Sequence, residues 1–517
     1  MTTLTAATAV SGGLVQSGSA APLSLTVSFD ASSSSYTLTV PGGSETFSPS
    51  ELSASSTTGQ TIYQKANGDQ LTLITASPWS HKALNYVGLG VYQTSSTSGG
   101  VDTTTYSTFD YGTPTPATGV PRTGEAAYNV DLVGYLAVPG QTTKSLTGPG
   151  VFEADFLSGQ FKANISPTET DLTTASGVTG GGIQLIAVGA LSSSDATFSG
   201  NAQFTDNVGS TFYVGPITGR FYGPSAQEVG ASFSGDNPNG GVVSGTIVGA
   251  QAGGAPGENL TLTNFYAQQL FYTQTVDNAD ISPGIAQLTL YTNGNISFNG
   301  GAYTTLTPAD IVASTLPNFT TYKTTTSGIP IEFDTYNVGA GNTELALTYM
   351  DFGIWKENAT IPPGSNESIL YVTWGIPTPY GVLSRLTGTG QYTGVTYGTA
   401  INSTGQYDIT GTSSLTVNFS TQSASGSMTM NGVLEGSSTT NNFGTFNFSG
   451  SIQAANPGEI LQILPLQAYQ GATGVGHVYL QFYGPSAQEA GGPFLFQLNN
   501  GLPNATSISG VIAAKQH

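Results

Sequence analysis

The stretch Phe221-Tyr222-Gly223-Pro224-Ser225-Ala226-Gln227-Glu228 recurs letter for letter 261 residues later as Phe482-Tyr483-Gly484-Pro485-Ser486-Ala487-Gln488-Glu489. Eight identities in eight positions exclude a compositional accident, so the chain carries an internal repeat. Outward from it, Gly124 to Tyr128 pairs with Gly388 to Tyr392, each Gly-x-x-x-Tyr, at an offset of 264. Asp155-Phe156 pairs with Asn418-Phe419, and Leu84-Asn85-Tyr86 with Leu347-Thr348-Tyr349, both at 263. The Pro49 and Pro308 turns lie 259 apart. An offset confined to this narrow range means two tandem copies of one lobe. Ser244-Gly245-Thr246-Ile247 closes the first copy and Ser509-Gly510-Val511-Ile512 the second. Between them, Gln251 to Gly257 is small and breaker-rich, as a linker is.

Within the octapeptide, Phe221-Tyr222 and Phe482-Tyr483 end strands, with one ring directed into a barrel and the other out of it. Gly223 and Gly484 let the chain turn, Pro224 and Pro485 set φ for a first helical position, and Ser-Ala-Gln-Glu is long enough for one helical turn. Gly230 and Gly491 then release the chain into strands carrying Phe233 and Phe494. The structural reading is a barrel corner, needed once per barrel, with Glu228 and Glu489 accepting backbone N–H bonds there. The functional reading makes these carboxylates ligand-binding groups.

Alternation is the dominant local pattern elsewhere. Leu23 to Phe29, Tyr36 to Val40, Leu288 to Tyr291 and Leu415 to Phe419 place apolar residues at every second position, with hydroxyls between them. Pro41-Gly42-Gly43, Asn67-Gly68-Asp69 and Asn293-Gly294-Asn295 read as tight turns. Helical periodicity is scarce, with single turns expected after Ser48-Pro49 and Thr307-Pro308. Each lobe divides near its Gly-x-x-x-Tyr strand, and the later parts are nearly equal in length. Eight strands of about 10 residues with their turns need about 120 residues, which suits a small closed barrel. Closure also removes exposed edges from sheets rich in Thr and Val.

The expected fold is all-β, with two tandem lobes, each a β-rich handle followed by an eight-stranded antiparallel barrel. The expected segments are an N-terminal tail at 1–22, a first handle at 23–122, a first barrel at 123–251, a linker at 252–259, a second handle at 260–386 and a second barrel at 387–517.

The octapeptide, its place near the end of each lobe and the upstream Gly-x-x-x-Tyr and Asp-Phe strands resemble the transferrin-binding protein B family of Gram-negative surface proteins. The resemblance implies a handle and an eight-stranded barrel in each of two lobes, and capture of a host iron protein at the cell surface. Relatives sharing the barrel take lactoferrin, haemoglobin, haem or complement regulators, so the implied partner is a protein ligand or haem. Members of that family are anchored by lipid on an N-terminal Cys. This chain has no Cys, so it is expected to be secreted or at the cell surface, associated with the outer membrane, without that anchor.

Composition narrows the function from the other side. The 517 residues carry a formal charge of -20, with 10 Lys plus Arg against 30 Asp plus Glu, and only 8% charged residues. The basic surface that nucleic acid or anionic lipid demands is missing. Without Cys there is no disulfide, thiol catalysis or Cys-based zinc site. No run of about 18 apolar residues is present to span a membrane as a helix. With only His81, His477 and His517, a Ser-His-Asp triad has almost no material. The pair Glu169 and Asp171 matches glycosidase chemistry in residue type alone.

No catalytic or metal-ligating residue is assigned, and the chain is not expected to be an enzyme. His81, in Pro78-Trp79-Ser80-His81-Lys82, is the candidate axial ligand should haem bind. Trp79 and Trp374 are the candidate loop aromatics for protein capture, with a place in the core the equal alternative for either. The leading reading is a monomeric, non-enzymatic binding protein serving iron acquisition. The alternative is a structural surface-layer or adhesin-type protein, which the low charge and high Thr and Gly content also suit.

Overall fold

The computed structural model describes residues 2–11, 14–76, 83–99, 101–177, 182–206, 212–252, 265–275, 278–291, 293–299, 303–357, 368–452, 464–470, 474–498 and 505–517. The chain divides into two compact units, Met1–Pro256 and Gly257–His517.

In the first unit, a six-stranded antiparallel sheet runs in the order Leu14–Ser24, Thr2–Ser11, Val101–Gly112, Val87–Ser98, Gln70–Ile74, Gln60–Gln64. A three-stranded sheet, Thr26–Asp30, Ser35–Val40 and Gly43–Phe47, packs Leu25, Leu38 and Phe47 against Leu71, Leu73 and Phe109. The expected tail at 1–22 is therefore two strands of the handle sheet. Its Thr- and Ala-rich sequence lacks the large alternating apolar residues that mark a strand, and pairing with Val101–Gly112 holds it in place.

The first barrel comprises Glu125–Ala137, Lys144–Asp155, Gln160–Ile165, Gln184–Leu191, Thr197–Thr205, Phe212–Tyr222, Glu228–Asp236 and Val242–Gln251. It closes because Glu125–Ala137 pairs with both Lys144–Asp155 and Val242–Gln251. The short strand Thr168–Asp171 extends the pairing along Lys144–Thr147. The interior is solid. Phe152 lies 5.1 Å from Phe161 and 4.9 Å from Phe198, and Phe221 lies 5.3 Å from Phe156 and 5.4 Å from Phe198.

The second unit repeats the plan. Its handle is a nine-stranded sheet in which Ser368–Gly375 lies between Phe265–Thr275 and Met350–Glu357. Eight strands from Thr389–Asn402 to Thr506–Gln516 close into the second barrel, filled by Met428, Met430, Phe446, Phe482 and Phe496. Both expected helical turns are present as 3₁₀ turns, Pro49–Glu51 and Pro308–Asp310. In each, the acidic third residue accepts the capping residue's N–H: Ser48 N to Glu51 Oε2 at 2.7 Å, and Thr307 N to Asp310 Oδ2 at 2.7 Å.

Candidate functional site: the joint between handle and barrel

Phe221 and Phe482 point into their barrels, while Tyr222 and Tyr483 point outward into the cores shared with the handles. The expected single helical turn does not form. Gly223 and Gly484 turn at φ +82° and +87°, and Ala226 and Ala487 sit in the left-handed region at +58° and +59°, so the segment is a tight turn. A Cβ on either glycine would fall 2.7 Å from the ring of Tyr86 or Tyr349. The following strands begin at Glu228 and Glu489 themselves, before Gly230 and Gly491.

The tyrosine of each Gly-x-x-x-Tyr strand secures this turn from inside the barrel. Tyr128 Oη donates to Ala226 O, and Tyr392 Oη to Ala487 O, both at 2.6 Å. The side chain of Gln227 accepts from Ser225 N at 2.8 Å, and Gln488 from Ser486 N at 2.8 Å.

Glu228 does accept backbone N–H bonds, but from the handle 141 to 143 residues upstream and not from its own corner. Asn85 N donates to Oε1 at 2.8 Å, and Tyr86 N and Val87 N donate to Oε2 at 2.7 Å. Glu489 repeats this with Thr348 N at 2.7 Å on Oε1, and Tyr349 N at 2.7 Å and Met350 N at 2.9 Å on Oε2. Both side chains are buried, at 2% and 0% exposure. Three charge-assisted bonds are what makes burial of a carboxylate tolerable. Burial pushes the Glu489 carboxyl above the usual range, opposed by the three N–H groups and by Lys515, whose Nζ lies 3.7 Å away. The ligand of this repeated carboxylate is thus the main chain of the handle.

A second repeated segment completes the joint. Gly112-Thr113-Pro114-Thr115-Pro116 and Gly375-Ile376-Pro377-Thr378-Pro379 lie 263 residues apart, the offset of the Leu84 and Asp155 matches. Thr115 N and Thr378 N donate to Phe221 O and Phe482 O, each at 2.9 Å. Gly223 N and Gly484 N donate back to Thr113 O and Ile376 O at 3.0 and 2.8 Å. The Gly-x-Pro-Thr-Pro identity was available in the sequence as a signal for this contact.

Beyond the shared frame the two joints differ. In the first, Tyr222 Oη donates to Asp110 Oδ2, and Ser232 Oγ lies 3.4 Å from Asp110 Oδ1 and 2.8 Å from Thr246 Oγ1. Burial pushes the Asp110 carboxyl up, opposed by the Tyr222 hydroxyl. In the second, Tyr483 Oη donates to Thr373 Oγ1 at 3.3 Å.

The candidate capture aromatics fare unequally. Trp79 and His81 lie outside the described residues. Trp374 is not a loop ring: it lies in Ser368–Gly375, is 2% exposed, and packs 6.1 Å from Phe333. That strand is interior to the sheet and covered on both faces, which buries the ring. Glu169 is wholly buried in an ion pair with Lys144 at 2.8 Å, and Asp171 accepts from the Thr173 and Thr174 N–H groups, so both carboxylates are committed. His477 lies on the strand Gly474–Tyr483, as expected. Among the described residues no group of three His, Asp or Glu could hold a metal ion, and no helix is long and apolar enough to cross a membrane. Phe29 and Tyr303 are the large exposed rings among the described residues, at 55% and 62%.

Residues 385–516 match the family model for the C-lobe and N-lobe beta barrels of Tf-binding protein B. The second barrel is thus similar to the barrels of transferrin-binding protein B. The first carries the same octapeptide, tyrosine and carboxylate in the same geometry. No curated protein matches the sequence.

Solved structures similar to the chain include intact Ap-TbpB with both lobes, at 16% identity, covering 84% of each chain with a TM-score of 0.30. Transferrin binding protein B from serogroup B Neisseria meningitidis has 15% identity, 86% and 89% coverage and a TM-score of 0.27. The N-lobe domain of lactoferrin binding protein B of Moraxella bovis has 13% identity over 48% of this chain and 99% of that one, with a TM-score of 0.23. Identity is low in each case, and the family model decides the assignment of the second barrel.

Proposed function

We propose that this chain is a non-enzymatic, secreted or surface-displayed binding protein that captures an iron-carrier protein. The observation that carries the reading is the family-model match of the second barrel, with a handle fixed to each barrel by an equivalent joint. Such a joint gives an extended, pre-organised surface, and pre-organisation reduces the entropy lost on binding. Exposed rings such as Phe29 and Tyr303 supply area at low entropic cost. No cofactor is needed for this capture, and haem remains the alternative ligand.

Surface plasmon resonance of the full chain against transferrin, lactoferrin and haemoglobin tests this, with Phe29→Ala and Tyr303→Ala as variants. Saturable binding weakened by one of the two variants is expected. A haem titration followed in the Soret region separates haem from protein capture. Absence of binding to all four ligands by folded protein, together with ordered self-assembly, would favour the surface-layer reading.

A further inference from the structure

The first unit carries a polar cavity on the outer wall of its barrel, beside the joint. The space, about 350 Å³, is lined by Ser192, Thr197, Ser199, Thr218, Arg220 and the handle residue Asp110, among others. Strand register orders these groups. Ala190, Ser199 and Thr218 form one row across three adjacent strands, and Thr197 with Arg220 forms the next. At the following strand, the position opposite Arg220 is Gly230. A Cβ there would lie 2.8 Å from Asp110 Cβ, so the missing side chain is what lets the handle close this end of the cavity.

The Arg220 guanidinium, one of only 10 cationic side chains in the whole sequence, is half-buried and makes no hydrogen bond or ion pair within 4 Å among the described residues, although Asp110 and Asp195 lie near enough to feel its charge. Both nearby carboxylates are engaged elsewhere. Asp195 Oδ1 accepts Thr197 N at 2.9 Å and Thr197 Oγ1 at 2.6 Å, and Asp110 accepts from Tyr222 and Ser232. Arg122 fixes the rim, its Nη1 donating to Ser192 O at 2.7 Å and its Nη2 to Asp195 O at 3.3 Å. Five donors with no acceptor, in a chain with three acids for every cation, form an oxyanion-seeking group.

The row beside it chooses among oxyanions. Ser199 and Thr218 stand opposite each other and make no side-chain hydrogen bond among the described residues. They lie two residues from the Arg220 row, about 7 Å along the strand. That backbone spacing, with the reach of the Arg220 side chain, is of the scale of a six-membered sugar acid from carboxylate to far hydroxyls. The second unit lacks the arrangement, since Gln481 and Thr373 stand where the repeat offsets place Arg220 and Asp110.

We propose that this cavity binds an acidic sugar of the hexuronate type, with the carboxylate on the Arg220 fork and ring hydroxyls on Ser199 and Thr218. The proposal goes beyond the protein-capture reading and does not depend on it.

Isothermal titration of the full chain with sodium D-glucuronate, D-glucose and sodium acetate is the test. Glucuronate is expected to bind at least about tenfold more tightly than either partial mimic. Arg220→Gln, which supplies the second unit's residue, should weaken it by about 10- to 100-fold with the melting curve unchanged. Should that variant misfold, Arg220→Lys keeps the charge without the fork and should bind at an intermediate level, and Thr218→Val should lower glucuronate affinity while leaving acetate unaffected. A glucuronate-terminated oligosaccharide that binds as tightly as the monosaccharide assigns the site to a displayed glycan, and exclusion of it assigns the site to the free acid. Unchanged binding in Arg220→Gln, acetate equal to glucuronate, or no binding at about 10 mM glucuronate overturns the proposal.

Discussion

The two joints hold the same frame around different fillings. Glu228 and Glu489 each take three consecutive handle N–H groups, and Tyr128 and Tyr392 each hold the same alanine carbonyl. Behind the frame, the first unit buries a charged network of Asp110, Tyr222, Ser232 and Thr246, where the second has Tyr483 on Thr373. Inside the barrels, Phe221 touches four aromatic rings, whereas Phe482 has Tyr392 at 6.1 Å and Phe419 at 6.0 Å. The contacts that repeat are those reading main chain. Those that diverged join side chain to side chain, where one substitution can be compensated by another.

The largest loss is expected at the carboxylates. Glu228→Gln and Glu489→Gln each turn an amide N–H₂ toward backbone donors and leave buried N–H groups without an acceptor. A loss of about 3–5 kcal/mol in each unit should appear in denaturant unfolding, with handle and barrel melting separately. A loss in only one unit would show the joints to be unequal despite their geometry.

Tyr128→Phe and Tyr392→Phe leave a buried carbonyl without its donor and should cost about 1–3 kcal/mol each, by the same measurement. Asp110→Asn sharpens the contrast, because only the first unit has the residue. Burial raises the folded pKa of Asp110 above its ordinary 3.8, so the stability tied to its protonated form is present below that value and lost as pH rises through the folded pKa. The asparagine variant should therefore melt higher than the parent at pH 7, with the gain vanishing as pH falls towards 4. Ala226→Gly and Ala487→Gly carry the smallest effect. Relief of the left-handed backbone should offset the added chain entropy and raise stability by at most about 1 kcal/mol.

The duplication, the barrels and the two 3₁₀ turns were legible because large apolar residues, turn residues and an uninterrupted octapeptide leave marks in sequence. The partner of Glu228 was not, since a backbone N–H has no letter: Asn85-Tyr86-Val87 and Thr348-Tyr349-Met350 share only their central tyrosine. Between the loop and core readings of Trp374 the sequence did not choose, for a related reason. The neighbouring Gly375 and Pro377 suggest a loop, yet the strand ends at Gly375 after carrying the ring into the core. Thr2–Ser11 escaped because small residues alternate without contrast, and only its partner strand makes it a strand. The Arg220 cavity could not be read at all, since it depends on a handle residue meeting the gap left by Gly230.

A carboxylate that clasps main chain alone is indifferent to the letters it holds. The handles can accumulate substitutions at the clasped residues without losing their seat on the barrel carboxylate. The clasped residues themselves bear this out, since Asn85 and Val87 in one unit stand where Thr348 and Met350 stand in the other and every bond is kept.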